Sequence, residues 1–202
     1  MWFKLNLEGL VFNFKVENYK QNQDIDYEWT DVSFNFKFQN IINYSINKSE
    51  LLESSEIDHL VNILEDLLNN KLNSIINFEC IEPDFTFIFN PDSSDGMMEL
   101  KVNLWNEGLT YNYFSTTFGR KEVEQLYLYL CLITNKLNYN DNKIKQLIDD
   151  GVIYSEFKND ILDGLEKEYG TNDMSWTEAE SLLQNVRRER LNNLYPKDNI
   201  KE

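Results

Sequence analysis

The stretch Met97-Met98-Glu99-Leu100-Lys101-Val102-Asn103-Leu104-Trp105 is followed by Asn106-Glu107-Gly108 and then by Leu109-Thr110-Tyr111-Asn112-Tyr113-Phe114-Ser115-Thr116-Thr117-Phe118. Met98, Leu100, Val102 and Leu104 alternate with Glu99, Lys101 and Asn103, the period of two expected of a strand with one buried face. The Asn106-Glu107-Gly108 connection is short and ends in a residue that tolerates positive φ, so the chain turns back as a hairpin. Leu109, Tyr111 and Tyr113 alternate with Thr110 and Asn112 on the return. After Gly119 the period becomes helical, with Val123, Leu126, Tyr127, Leu130 and Cys131 at i, i+3, i+4, i+7 and i+8. A hairpin followed by a packing helix is the unit from which the rest is read.

Upstream, residues 75–80 and 85–89 read as strands on either side of Glu82-Pro83-Asp84. Residues 2–7 and 10–16 form a hairpin through Glu8-Gly9, with Leu10, Phe12, Phe14 and Val16 on one face. Val32, Phe34, Phe36 and Phe38 alternate with polar residues, and Ile42, Tyr44 and Ile46 form the partner strand across Gln39-Asn40. Ile57, Leu60, Val61, Leu64, Leu67 and Leu68 then make a helical stripe, with Ser54 and Ser55 as candidate N-caps. Four strands and one helix therefore occur twice in residues 1–137, and each helix ends in Asn-Lys-Leu-Asn, at 70–73 and 135–138. The pattern predicts an α+β protein of mainly antiparallel sheet with two packing helices, built as a duplicated ββββα unit.

Beyond residue 137 only helical periods remain. Residues 138–143 are polar and aperiodic, a linker. Residues 144–150 form a short helix closed by Gly151. Ile153, Phe157, Ile161, Leu162 and Leu165 mark a second that stops near Gly170. Ser175-Trp176-Thr177-Glu178 is a capping box that opens a third. The expected organisation is one α+β domain over 1–137 and a helical module over 143–195. Helices this short need tertiary packing, so the module is expected to dock on the domain or on itself.

The chain has 35 acidic and 19 basic residues, a formal net charge of −16. Such a surface repels phosphate backbones, which argues against direct nucleic-acid binding, and it attracts basic proteins. A polar loop over 17–31 concentrates Asp24, Asp26, Glu28, Trp29 and Asp31. With 42% hydrophobic and 14% aromatic residues the chain has enough packing groups to fold. No apolar run approaches the roughly 18 residues of a membrane span, and the alternating N-terminus is a strand rather than a signal peptide's apolar core. These features predict a cytoplasmic protein. Cys80 and Cys131, far apart and without metal-ligand spacing, read as buried thiols.

Catalytic chemistry finds few candidates. A Ser-His-Asp or Cys-His arrangement needs an imidazole, and the single histidine, His59, lies off the apolar stripe of its helix. One histidine and two separated cysteines do not make a zinc site, and phosphate-cradling glycine motifs are absent. In Asp92-Ser93-Ser94-Asp95-Gly96 the positions counted back from the glycine give Pro91 and Ser93 where a calcium loop needs acidic or amide side chains. Arg187-Arg188-Glu189-Arg190 pairs most simply with carboxylates of its own chain. Glu79, Glu82 and Asp84 are the remaining enzymatic possibility, as an acid–base set around Pro83. Trp105, Tyr111 and Tyr113 could make an exposed binding platform, although aromatics at strand spacing more often fill a core. No cofactor or metal is expected.

Phe78-Glu79-Cys80-Ile81-Glu82-Pro83-Asp84-Phe85, Leu104-Trp105-Asn106-Glu107-Gly108 and Asn112-Tyr113-Phe114-Ser115 resemble segments of the WapI-like immunity proteins, which neutralise toxin domains of contact-dependent and related polymorphic toxin systems of bacteria. The helix carrying Leu126-Tyr127 and Tyr129-Leu130, and the helix beginning near Ser54, are similar to the same family. The likeness follows the element order over 1–137. The acidic segment before Val32 and the helical addition after Asn138 depart from the family pattern. The resemblance implies a non-enzymatic inhibitor that binds a cognate toxin domain stoichiometrically, and the chain's acidity points to a basic partner, such as a nuclease with a cationic cleft. Contacts to the toxin are expected at Asp24, Asp26, Glu28, Trp29 and Asp31, at Glu82 and Asp84, and at Trp105, Glu107, Tyr111 and Tyr113. The alternatives are an enzyme using Glu79, Glu82 and Asp84, or a small-molecule binding module with a deep apolar cavity between sheet and helices.

Overall fold

Strands β1 (Trp2–Leu7), β2 (Leu10–Glu17), β3 (Trp29–Phe38) and β4 (Ile42–Glu53) pair in chain order as an antiparallel meander, and α1 (Ser54–Leu68) follows. The order then repeats with β5 (Ile76–Glu79), β6 (Phe85–Phe89), β7 (Met98–Trp105), β8 (Leu109–Phe118) and α2 (Arg120–Ile133). Each block pairs its strands in chain order and is followed by a helix, as the expected ββββα repeat requires. The computed structural model describes residues 1–7, 9–20, 28–92, 96–105 and 109–155, with helical positions at 165, 169, 177–179, 181, 182 and 185.

Register explains why the alternation makes a core. Phe12 lies opposite Phe36 and Phe14 opposite Phe34, so one face of the first sheet is a field of phenylalanines. The inner face of the second sheet meets it. Phe34 and Phe85 have ring centroids 4.8 Å apart, and Phe36 stacks on Phe114 at 5.3 Å. The helices close the same core: Tyr129 of α2 stacks on Phe3 at 5.4 Å. Arg120, at the start of α2, donates to the Leu68 carbonyl at the end of α1, while Lys136, just past α2, reaches Asn62 in the middle of α1. The two helices therefore run antiparallel, with a cation at the negative end of the α1 dipole.

Two local expectations are corrected. The α1 N-cap is Glu53 rather than Ser54 or Ser55, and it forms a reciprocal box with Glu56. Ser54 is already helical and its hydroxyl accepts from the Lys20 N–H. Ile153 does not start a helix. After α3 (Asn142–Asp149) the chain reverses at Gly151 (φ +69), and Ile153–Tyr154 pairs with β1 as β9. The first sheet therefore has the order β4-β3-β2-β1-β9 and the second β5-β6-β7-β8.

The chain divides into two compact units, Met1–Tyr154 and Ser155–Glu202. α3 and β9, which helical periodicity groups with the C-terminal module, thus belong to the first. In the second, Leu165 and Ala179 are buried helical positions. Ser175 and Trp176 of the expected capping box lie outside the described residues.

Candidate functional site

At one end of the first sheet, Glu17 of β2 lies opposite Asp31 of β3, and Asp31 lies opposite Glu50 of β4. Three carboxylates in adjacent strands form a row, and like charges set directly opposite each other oppose sheet formation. The row is partly answered by its neighbours. Lys15 binds Glu17 at 2.8 Å, with its ammonium 5.8 Å from the centre of the Trp2 ring, and the Asn18 side chain donates to Asp31 at 2.6 Å. Glu28, half-buried beside the row, pairs with Lys20 at 3.2 Å, and its carbonyl accepts from the Ser54 N–H. Trp29 begins β3 opposite Glu53. Asp24 and Asp26 lie outside the described residues. They belong to the connection between Lys20 and Glu28, whose two ends the row adjoins. Glu17 and Glu50 were not foreseen from sequence, because only strand register brings them beside Asp31.

Glu79, Glu82 and Asp84 differ widely in exposure. Glu79 is exposed on β5 between the buried Phe78 and Cys80, Glu82 is half-buried, and Asp84 is 2% exposed. The turn is held to β7 by Asn103, whose backbone N–H donates to the Asp84 carbonyl and whose side chain donates to the Pro83 carbonyl. Asp84, expected at a contact surface, is thus almost wholly buried in the turn. Glu56 approaches the turn from α1. Its two carboxylate oxygens accept from the Glu53 and Ile81 N–H groups, so one side chain caps the helix and ties the second block to the first. Burial is the main influence raising its pKa above the ordinary glutamate value, and the nearby Glu53 and Glu82 charges add to it.

In the third expected region, the side chains of Trp105 and Tyr111 and the whole of Glu107 lie outside the described residues. Tyr113 is 54% exposed on the outer face of β8, under the Lys101 ammonium at 5.4 Å. Beside β8 runs an open groove of about 670 Å³. Phe114 and Thr116 form part of its wall, and Leu7, Leu10, Phe38 and Ile42 of the first sheet form its floor. By contrast, an interior pocket lined by Phe12, Phe85, Leu60 and Leu126 is about 10 Å³. That is no more than one water occupies, so among the described residues this part of the interior is filled by side chains.

His59 is exposed on α1, its ring edge-on to Phe78. Cys80 and Cys131 are buried free thiols, and burial pushes both up in pKa, away from the reactive thiolate. Among the described residues no three His, Cys, Asp or Glu side chains are grouped to hold a metal ion, and no helix is long and apolar enough to cross a membrane. A family model described as the immunity protein WapI-like family matches residues 3–137, about two thirds of the chain. Comparison with curated proteins gave no match.

Proposed function

The chain belongs to the WapI-like immunity protein family, and from that membership we propose that it neutralises one cognate toxin domain by forming a stoichiometric complex that covers or locks the toxin's active site. Family membership implies toxin neutralisation and a toxin partner. The mode of action is this chain's own: occupancy of the toxin surface, with no chemical step performed by the inhibitor. An interface of about 1,600 Å² with a few aromatic anchors is sufficient for such a complex.

The observation that carries the electrostatic part is the row Glu17, Asp31 and Glu50 at the sheet end, beside Glu28 and the connection holding Asp24 and Asp26. Carboxylates lined up across three strands gain nothing for folding, yet they suit a basic partner, and a nuclease domain with a cationic cleft has that charge. Trp29 and Tyr113 remain as aromatic contacts, and Glu82 as a half-buried contributor at the β5–β6 turn. On this reading the complex forms in the cytoplasm. The carboxylate enzyme is the weaker reading, because Glu79 is exposed while Asp84 is buried.

The test is co-expression with the toxin domain encoded beside this chain's gene. Rescue of growth and co-purification at one to one are expected, together with an association rate that falls steeply as ionic strength rises. Growth arrest without rescue defeats the reading. A rate insensitive to salt removes its electrostatic half.

A further inference from the structure

Four strands end the two sheets, and three of them carry features that discourage pairing with another chain. β9 is two residues long, and β5 is four residues long with Glu79 exposed. β4 is long, but it bears Lys48 and Glu50, and its pairing with β3 shifts register at Thr30/Asp31 and Val32/Phe34. β8 differs from all three. It runs for ten residues without a charged side chain or a proline, and although its pairing with β7 shifts register between Asn103 and Trp105, the ladder is unbroken along the groove-lining stretch, from Tyr113 to Phe118. An exposed edge presents unpaired N–H and C=O groups, and natural sheets guard such edges with charge, proline, bulges or brevity. Among the described residues β8 has no strand on its far side.

That unguarded edge borders the open groove. Phe114, Ser115, Thr116 and Thr117 all line it. Side chains of consecutive strand residues point to opposite faces, so four in a row can line one groove only if the margin of the strand forms its wall. The floor is apolar, made by Leu7, Leu10, Phe38 and Ile42 on the inner side of the first sheet, and Ile41 beside it is 75% exposed. A strand laid against β8 would extend the second sheet over this floor.

We propose that the toxin is gripped by strand addition, an extended segment of the toxin pairing with β8 along residues 114–117 and setting alternate side chains on the Leu7, Leu10, Phe38 and Ile42 floor. This rests on the reading of the chain as a toxin-neutralising protein and names the surface it uses. Four residues of strand span roughly 13 Å, so the incoming segment is short, apolar at every second position, and supplied with main-chain hydrogen bonds by the edge. Glu122, the charged residue lining the groove, favours a lysine or arginine in that segment. A second copy of this chain is the poorer occupant, because each copy carries −16 and the two repel.

The test is amide hydrogen exchange on the full chain, alone at two concentrations and saturated with the toxin domain encoded by the neighbouring gene. The groove-side amides of residues 114–117 are expected to exchange quickly in the free chain and at least about tenfold more slowly in the complex. A Ser115→Lys/Thr116→Lys variant installs the missing edge guard and is expected to weaken toxin binding by about tenfold or more while melting like wild type. Toxin binding that leaves exchange at 114–117 unchanged overturns strand addition and leaves neutralisation standing. Absence of any toxin binding removes both. Protection already present in the free chain overturns it too, by a second copy if it grows with concentration and by a segment of the same chain if it does not.

Discussion

Tyr129 shows how much one side chain carries. Its ring is fully buried, stacked on Phe3 and edge-on to Phe14 at 6.2 Å. Its hydroxyl accepts from the Val16 N–H at 3.0 Å and donates to the Met1 carbonyl at 3.1 Å, so α2 supplies bonds that strands β1 and β2 do not. Burial raises the pKa of this phenol, which keeps it neutral and able to donate. Tyr129→Phe preserves the packing but strips a buried N–H of its partner. The expected loss is about 1–3 kcal/mol of stability, measured by urea denaturation. A variant as stable as wild type would mean that another acceptor, such as water, takes over the Val16 N–H.

At the scale of elements, the repeated Asn-Lys-Leu-Asn acquires a physical reason. Asn70 and Asn135 sit just beyond the C-caps of α1 and α2 with φ of +55° and +57°, and the Asn70 and Asn135 N–H groups bond back to the Leu67 and Leu132 carbonyls. Leu72 and Leu137 then return to the core. The motif is a helix stop followed by an apolar anchor, and asparagine tolerates the left-handed region better than other residues with a Cβ. Asn135→Ala should therefore cost about 1–2 kcal/mol, whereas Asn135→Gly should cost little or none. Thermal melts of the pair decide it, and equal losses for both would point to the side-chain amide instead. These stops, the strands and the hairpins were legible because each is written in a local period or turn. The α1 cap was not, since Glu53 reads as strand until its bond to the helix backbone is seen. β9 was hidden for a stronger reason: Ile153 and Phe157 have helical spacing, but an unpaired β1 edge more than a hundred residues away claims Ile153 first. The acidic row was hidden in the same way, because Glu17, Asp31 and Glu50 become neighbours only through pairing register.

For Met1–Tyr154 as a whole, the two ββββα blocks look like two small domains in sequence but share one core. Buried residues from both sheets and both helices, together with Ile144, Leu147 and Ile153, form a single apolar cluster that continues past the end of the family match at residue 137. Neither sheet has a second layer of its own, since the phenylalanines of each cover the other. Phe85 is the clearest junction: it belongs to the second block, is nearly inaccessible, and contacts Phe14 at 6.1 Å and Phe34 at 4.8 Å in the first. Phe85→Ala should remove about 3–5 kcal/mol by opening a cavity between the sheets. If folding is one cooperative event, that loss must appear equally at sites in both blocks. Amide exchange at Phe12 and Phe14 of β2 should then accelerate as much as at Leu100 and Val102 of β7. Acceleration confined to the second sheet would instead reveal two repeats that fold separately and merely touch.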